Sequence, residues 1–96
     1  MSDEKICDEF HRIANKHGNG QLGREVWANH LGQVTRYNLA YINHRMHQND
    51  NGRVIGYGNQ DGFHHRHYFG KIEKIVFTSF EDIEVQFQQD WLFLRS

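Results

Sequence analysis

The sequence contains no proline and a single cysteine, Cys7. One cysteine closes no internal disulfide, which excludes the stapled scaffolds of small secreted domains, and no CxxC pair is present for metal or redox chemistry. No apolar run approaches the roughly 18 residues that cross a bilayer. The acidic start, with Asp3 and Glu4, is not the basic opening of a secretory signal. Neither a glycine-rich phosphate loop nor a Ser–His–Asp order is recognisable. An excess of one charge is lacking too: Lys plus Arg number 11 and Asp plus Glu 12, a formal net charge of −1. Non-specific binding to duplex DNA is therefore disfavoured. With 96 residues, the expectation is one domain over 1–96, cytoplasmic and with no membrane partner.

Aromatic residues and histidine are abundant: seven Phe, four Tyr and two Trp exclude a disordered chain, and eight residues are His. The near-zero charge is also segregated. Residues 36–71 carry Arg36, Arg45, Arg53, Arg66 and Lys71 against Asp50 and Asp61, whereas residues 72–96 carry five acids against Lys74 and Arg95. His44, His47, His64, His65 and His67 lie in the basic middle, where falling pH adds further positive charge. Such a segment suits a phosphate or an acidic partner, although any short chain shows some unevenness.

Along the chain, Ile6, Phe10 and Ile13 recur at helical spacing. Ser2 or Asp3 as cap, Lys16 and His17 near the end and Gly18 as stop complete the signature of an N-terminal helix. Gly18 to Gly23 reads as a loop. A short strand follows around Val26 and Trp27, and a long one over Val34–Met46 with both faces partly covered. Asn51-Gly52 marks a tight hairpin turn, and Arg53–Tyr57 returns from it. Phe63–Phe69 and Ile72–Thr78 are the remaining strands. Ser79 and Asp82 match a capping box, and Phe80, Ile83, Phe87, Trp91 and Leu94 form one apolar stripe on a helix. The expected fold is α+β: an antiparallel meander of about four to five strands with an N-terminal helix and a C-terminal amphipathic helix packed on one face.

The chemistry concentrates in Phe63-His-His-Arg-His-Tyr-Phe69. In a strand His65 and His67 share one side, about 7 Å apart, and His64, Arg66 and Tyr68 the other. Tyr57, Asn59 and Asp61 precede this run. Three readings stay open. Metal-independent RNA cleavage needs a base, an acid and a cation for the phosphorane, and two imidazoles with Arg66 supply those types. A metal site would use His65 and His67 with Asp61, His44 or His47. Structural histidines bonded to backbone are the third reading.

The segment Arg53-Val-Ile-Gly-Tyr-Gly-Asn-Gln-Asp-Gly-Phe-His-His-Arg-His67 resembles the TumE-type family of small toxins from bacterial toxin–antitoxin pairs. That family tends to show V-x-x-Y-D-N, a short glycine-containing loop and then H-x-H, followed by a terminal helix with a late aromatic. The likeness spans about residues 34–94, and Tyr57, Asn59, Gly62, His65, Arg66 and His67 match; Gly58 stands where the family has an acid. The resemblance implies a growth-inhibiting toxin acting on RNA and neutralised by a small helix-turn-helix antitoxin. In that reading His65 and His67 act as base and acid in either order, and Arg66 binds phosphate. Tyr57, Asn59, Asp61 and His64 contact substrate, with no cofactor and no metal. The alternative is a non-catalytic interaction module whose histidine strand binds a partner protein or a metal. An open sheet edge also leaves a homodimer open.

Overall fold

Strand pairing, not helical spacing, governs the N-terminal third. The computed structural model describes residues 3–14, 16, 19–60 and 62–95. In place of the expected N-terminal helix, Glu4–Ile13 is a strand, β1, paired antiparallel with β2, Gly20–Ala28. Nine register pairs join the two, with a bulge between Lys5 and Cys7. Of the apolar residues whose spacing suggested a helix, Ile13 packs against the core, whereas Ile6 is 58% and Phe10 61% exposed. A local periodicity shared by helix and solvent-facing strand was decided by a non-local partner. Ser2, His17 and Gly18, expected to cap, close and stop that helix, lie outside the described residues.

Of the stretch read as a loop, residues 20–23 are the opening of β2 instead. Gly20 has φ +109°, and a Cβ there would stand 2.7 Å from the Ile42 carbonyl oxygen, so glycine permits the close approach of β3. Four further strands follow: β3 Val34–Ile42, β4 Arg53–Gly58, β5 His65–Tyr68 and β6 Lys71–Lys74. All six form one antiparallel sheet in chain order. The expected count of four to five fell short because the first segment is a strand. The expected tight hairpin is instead a longer connection, because β3 ends at Ile42 rather than Met46 and residues 43–52 lead into β4; Asp50, Asn51 and Gly52 do take positive φ, of 54°, 55° and 80°, in a short 3-10 turn just before it.

The chain ends in one helix, α1, Phe80–Arg95. Its first turn is capped as expected, the Asp82 N–H donating to Ser79 Oγ at 3.1 Å. The Asp82 carboxylate does not close the box; it accepts the Thr78 hydroxyl at 2.6 Å. Phe80, Ile83 and Phe87 are buried against Val26, Tyr37, Leu39, Tyr41, Ile55 and Tyr57 of the sheet. Full burial of such side chains contributes about 1.5–3 kcal/mol each. Trp91, partly buried, lies 6.2 Å from the Tyr41 ring, centroid to centroid. An ion pair adds orientation: Arg24 of β2 donates to both Glu84 carboxylate oxygens, at 3.1 and 2.8 Å. The helix covers one face of the sheet and, among the described residues, no helix covers the other.

Candidate active site

Alternation along β5 sorts the motif onto two faces. Partners in an antiparallel register share a face, and Tyr57 is paired with Arg66 while Gly58 is paired with His65 and Gly56 with His67. Tyr57 and Arg66 therefore lie under α1, and His65 and His67 lie on the helix-free face.

On the helix side the groups close on one another. The Tyr57 hydroxyl donates to Asp90 Oδ2 at 2.6 Å, and Arg66 Nε donates to the same oxygen at 3.2 Å. Gln86 Nε2 reaches Asp90 Oδ1 at 3.1 Å, and Arg66 Nη1 is 3.6 Å from Glu73. Burial pushes the Tyr57 phenol well above its ordinary value, and its bond to Asp90 adds to that. Tyr57 and Arg66 also line a cleft of about 490 Å³ between sheet and helix, with Ile83 and Gln86 on its helical wall.

Two further predicted residues tie the β4–β5 loop to β3. Asn59 accepts the Tyr37 N–H at 3.1 Å and donates to the Thr35 carbonyl at 3.0 Å, so both ends of its amide are used. His64 stacks on Phe77 with centroids 4.0 Å apart, and its Nδ1 is 2.8 Å from the Tyr37 hydroxyl. Burial holds His64 below its ordinary 6.5, and the neighbouring His65 lowers it further. Burial also pushes the Tyr37 phenol up to about 12. Asp61 lies outside the described residues.

The helix-free face is where imidazoles meet. His65 and His67 stand edge to face with centroids 4.9 Å apart, and are 4% and 9% exposed. Their floor is made of small residues. Gly56 and Gly58 pair onward with Ala40 and Asn38 of β3, and Ala40 with Gly23 of β2. A Cβ at position 58 would lie 3.5 Å from His65 Nε2, so an acid there would stand against that imidazole. Phe63 tilts against His65 at 5.3 Å, and its carbonyl is 3.2 Å from His65 Nδ1. Ile72 and Lys74 of β6 pair with His67 and His65.

Sequence reasoning missed Asp50 and Arg53. The Asp50 carboxylate takes Arg53 Nε at 2.9 Å and Nη2 at 3.1 Å, and that same Nη2 is 3.2 Å from His67 Nδ1. Asp50 Oδ2 itself is 3.8 Å from His67 Nδ1. A register shift between Tyr41 and Ile42 opposite the start of β4 accompanies this placement. The side chain of Arg53 then runs over Gly56, whose Cβ, if present, would meet Arg53 Cδ at 2.8 Å. The readable signal was an acid and an arginine three apart across the Asn51-Gly52 turn. The cation beside the imidazoles is thus Arg53, while the sheet separates Arg66 from them.

No group of three or more His, Cys, Asp and Glu suited to a metal occurs among the described residues. Among the described residues no helix is long and apolar enough to cross a membrane. Compared with family models, curated proteins and solved structures, the chain matches none.

Proposed function

We propose that this chain is the toxin of a bacterial toxin–antitoxin pair, cytoplasmic, and that it inhibits growth by metal-independent RNA cleavage on the helix-free face. The observation that carries the reading is the His65–His67 pair, 4.9 Å apart on one face with the Arg53 guanidinium against it. Two imidazoles and a cation are what transfer of a phosphodiester to a neighbouring 2′-hydroxyl needs: proton handling near neutral pH and stabilisation of phosphorane charge. The small floor of Gly56 and Gly58 lets the Arg53 side chain and the His65 ring lie close against the sheet. Arg66, Tyr57 and Asp90 in this reading fasten the helix to the sheet. A small helix-turn-helix antitoxin is the neutralising partner, and self-pairing at an open sheet edge is the route to a homodimer.

Induced expression tests it, with growth and total RNA integrity scored for the wild type and for His65→Ala plus His67→Ala. The wild type should arrest growth and fragment RNA, and the double variant should do neither. Normal growth with intact RNA on wild-type expression contradicts the toxin reading. The burial of both imidazoles favours a second reading, a non-catalytic interaction module in which they pack as structural residues. In that case the double variant would lose partner binding or stability, and RNA would be untouched throughout.

A further inference from the structure

Acids are missing from one end of the sheet. Residues 10–24 and 26–49 contain no Asp or Glu, yet carry Arg12, Lys16, Arg24, Arg36 and Arg45 with five histidines. The fold brings the end of β1, the start of β2 and the residues after β3 together. There Arg12, Asn19, Asn43, His44 and Arg45 help to line a cavity of about 490 Å³, with no carboxylate among its described lining residues. Arg12, His44 and Arg45 are exposed. Among the described residues none of the three has a carboxylate partner. Elsewhere arginines are matched: Arg24 by Glu84, Arg53 by Asp50 and Arg66 by Asp90. Positive charges gathered without an acid repel one another, and a bound anion removes that cost.

Hydrogen bonds hold the walls of this cavity in place. Asn43, 3% exposed, accepts the Arg45 N–H on Oδ1 at 3.0 Å. Its Nδ2 donates to the Tyr41 hydroxyl at 3.1 Å and to the Asn19 carbonyl at 3.4 Å. The residues after β3 are thereby tied to those just before β2. The Asn19 N–H in turn donates to the Ala14 carbonyl at 3.1 Å, next to the end of β1. The cavity also adjoins the helix-free face. Arg12 pairs with Gln21, Gln21 with Ile42 and Ile42 with Arg53. One row therefore crosses four strands from Arg12 to Arg53, about 14 Å at ordinary strand spacing. We propose that Arg12, His44 and Arg45 form a phosphate-binding site for the backbone of single-stranded RNA, which positions the strand and takes no part in bond breaking. The RNA as occupant rests on the RNA-cleavage reading; the cavity and its charge do not. Two guanidinium groups offer the planar, paired N–H donors that match phosphate oxygens. A strand laid along the row carries its next phosphates from the cavity toward Arg53.

Anisotropy titration of a short, labelled 2′-O-methyl RNA tests this, because that strand lacks the attacking hydroxyl and binding is read without cleavage. Arg12→Gln and Arg45→Gln should each weaken binding roughly three- to tenfold at low salt, and lower the slope of log affinity against log salt by about 0.7. Arg12→Lys should retain most of the affinity. Lys71→Gln, which removes a cation at the opposite edge of the sheet, should change it little. Circular dichroism should show every variant folded, since the substituted side chains are exposed. As a second measurement, inorganic phosphate added to 15N-labelled protein should shift the Nε signals of Arg12 and Arg45 before those of other arginines. RNA binding that survives Arg12→Gln and Arg45→Gln as well as it survives Lys71→Gln overturns the site, as does phosphate that moves neither arginine. Phosphate shifts at both arginines without any RNA binding overturn RNA as the occupant. Binding that depends on both arginines, with no cleavage of ordinary RNA, supports the site and contradicts the RNA-cleavage reading.

Discussion

Beneath the helix, β3 and β4 present Tyr37, Leu39, Tyr41, Ile55 and Tyr57; on the other face the same two strands present Asn38, Ala40, Gly56 and Gly58. One side is filled with large rings and branched chains that bury area. The other is nearly bare of side-chain bulk and has two imidazoles with an arginine at its edge. The polar groups differ as well. On the helix side Arg24 meets Glu84, and Arg66 and Tyr57 meet Asp90, each closing a gap between layers. On the bare side Arg53 meets the His67 imidazole nitrogen within the same face. The helix-packing groups and the imidazole pair thereby lie on opposite faces of one sheet only a residue apart in sequence, at Arg66 and His67.

Substitutions under the helix should cost folding free energy and little else. The largest effect is expected for Phe87→Ala, about 3–5 kcal/mol, because its ring is buried against Tyr57 in the centre of the contact. Urea unfolding measures it, and a loss below 1 kcal/mol would mean the helix does not dock there. Next comes Asp90→Asn, which removes the partly buried carboxylate that Arg66 and Tyr57 share and leaves Arg66 with the more exposed Glu73; about 1–2 kcal/mol should be lost by the same measurement.

A pH effect of intermediate size should also belong to this side. Burial keeps the folded-state value of His64 below 6.5, so the unfolded chain binds its proton more readily. The contribution of neutral His64 is complete above that ordinary value and is lost as pH falls through the lower, folded one. Thermal midpoints should therefore decline from pH 7 to pH 5, and His64→Phe should flatten the decline. An unchanged slope in the variant would remove His64 from the account.

Smallest should be the stability effect of the helix-free face. Ile72→Ser, 62% exposed beside His67, should change stability by no more than about 0.5 kcal/mol. A large loss would mean that this face, too, is part of the core.

The terminal helix and the positive-φ turn before β4 were legible because their signals are local, although the length of the connection leading to that turn was not. A cap followed by Phe80, Ile83 and Phe87 at helical spacing, and Asn51-Gly52 with its positive φ angles, need no distant partner to be read. The alternation that sets His65 and His67 apart from Arg66 was legible for the same reason. The first strand was not. Ile6, Phe10 and Ile13 suit a helix as well as an exposed strand, and only pairing with β2 decides between them. Arg53 and Asp50 were missed because their meeting with His67 depends on β4–β5 register and on an irregularity at the start of β4, neither of which leaves a spacing in the sequence.

The central claim is that function lies with Arg53, His65 and His67 and not with Arg66. It is tested most directly by comparing Arg53→Gln with Arg66→Gln, each shown to be folded by circular dichroism and induced to equal soluble levels. Growth and RNA integrity are the readout. The account predicts that Arg53→Gln abolishes growth arrest and RNA fragmentation, whereas Arg66→Gln lowers the thermal midpoint and retains both. Retained arrest in Arg53→Gln together with lost arrest in folded Arg66→Gln would contradict it, and would place the reacting face beneath the helix.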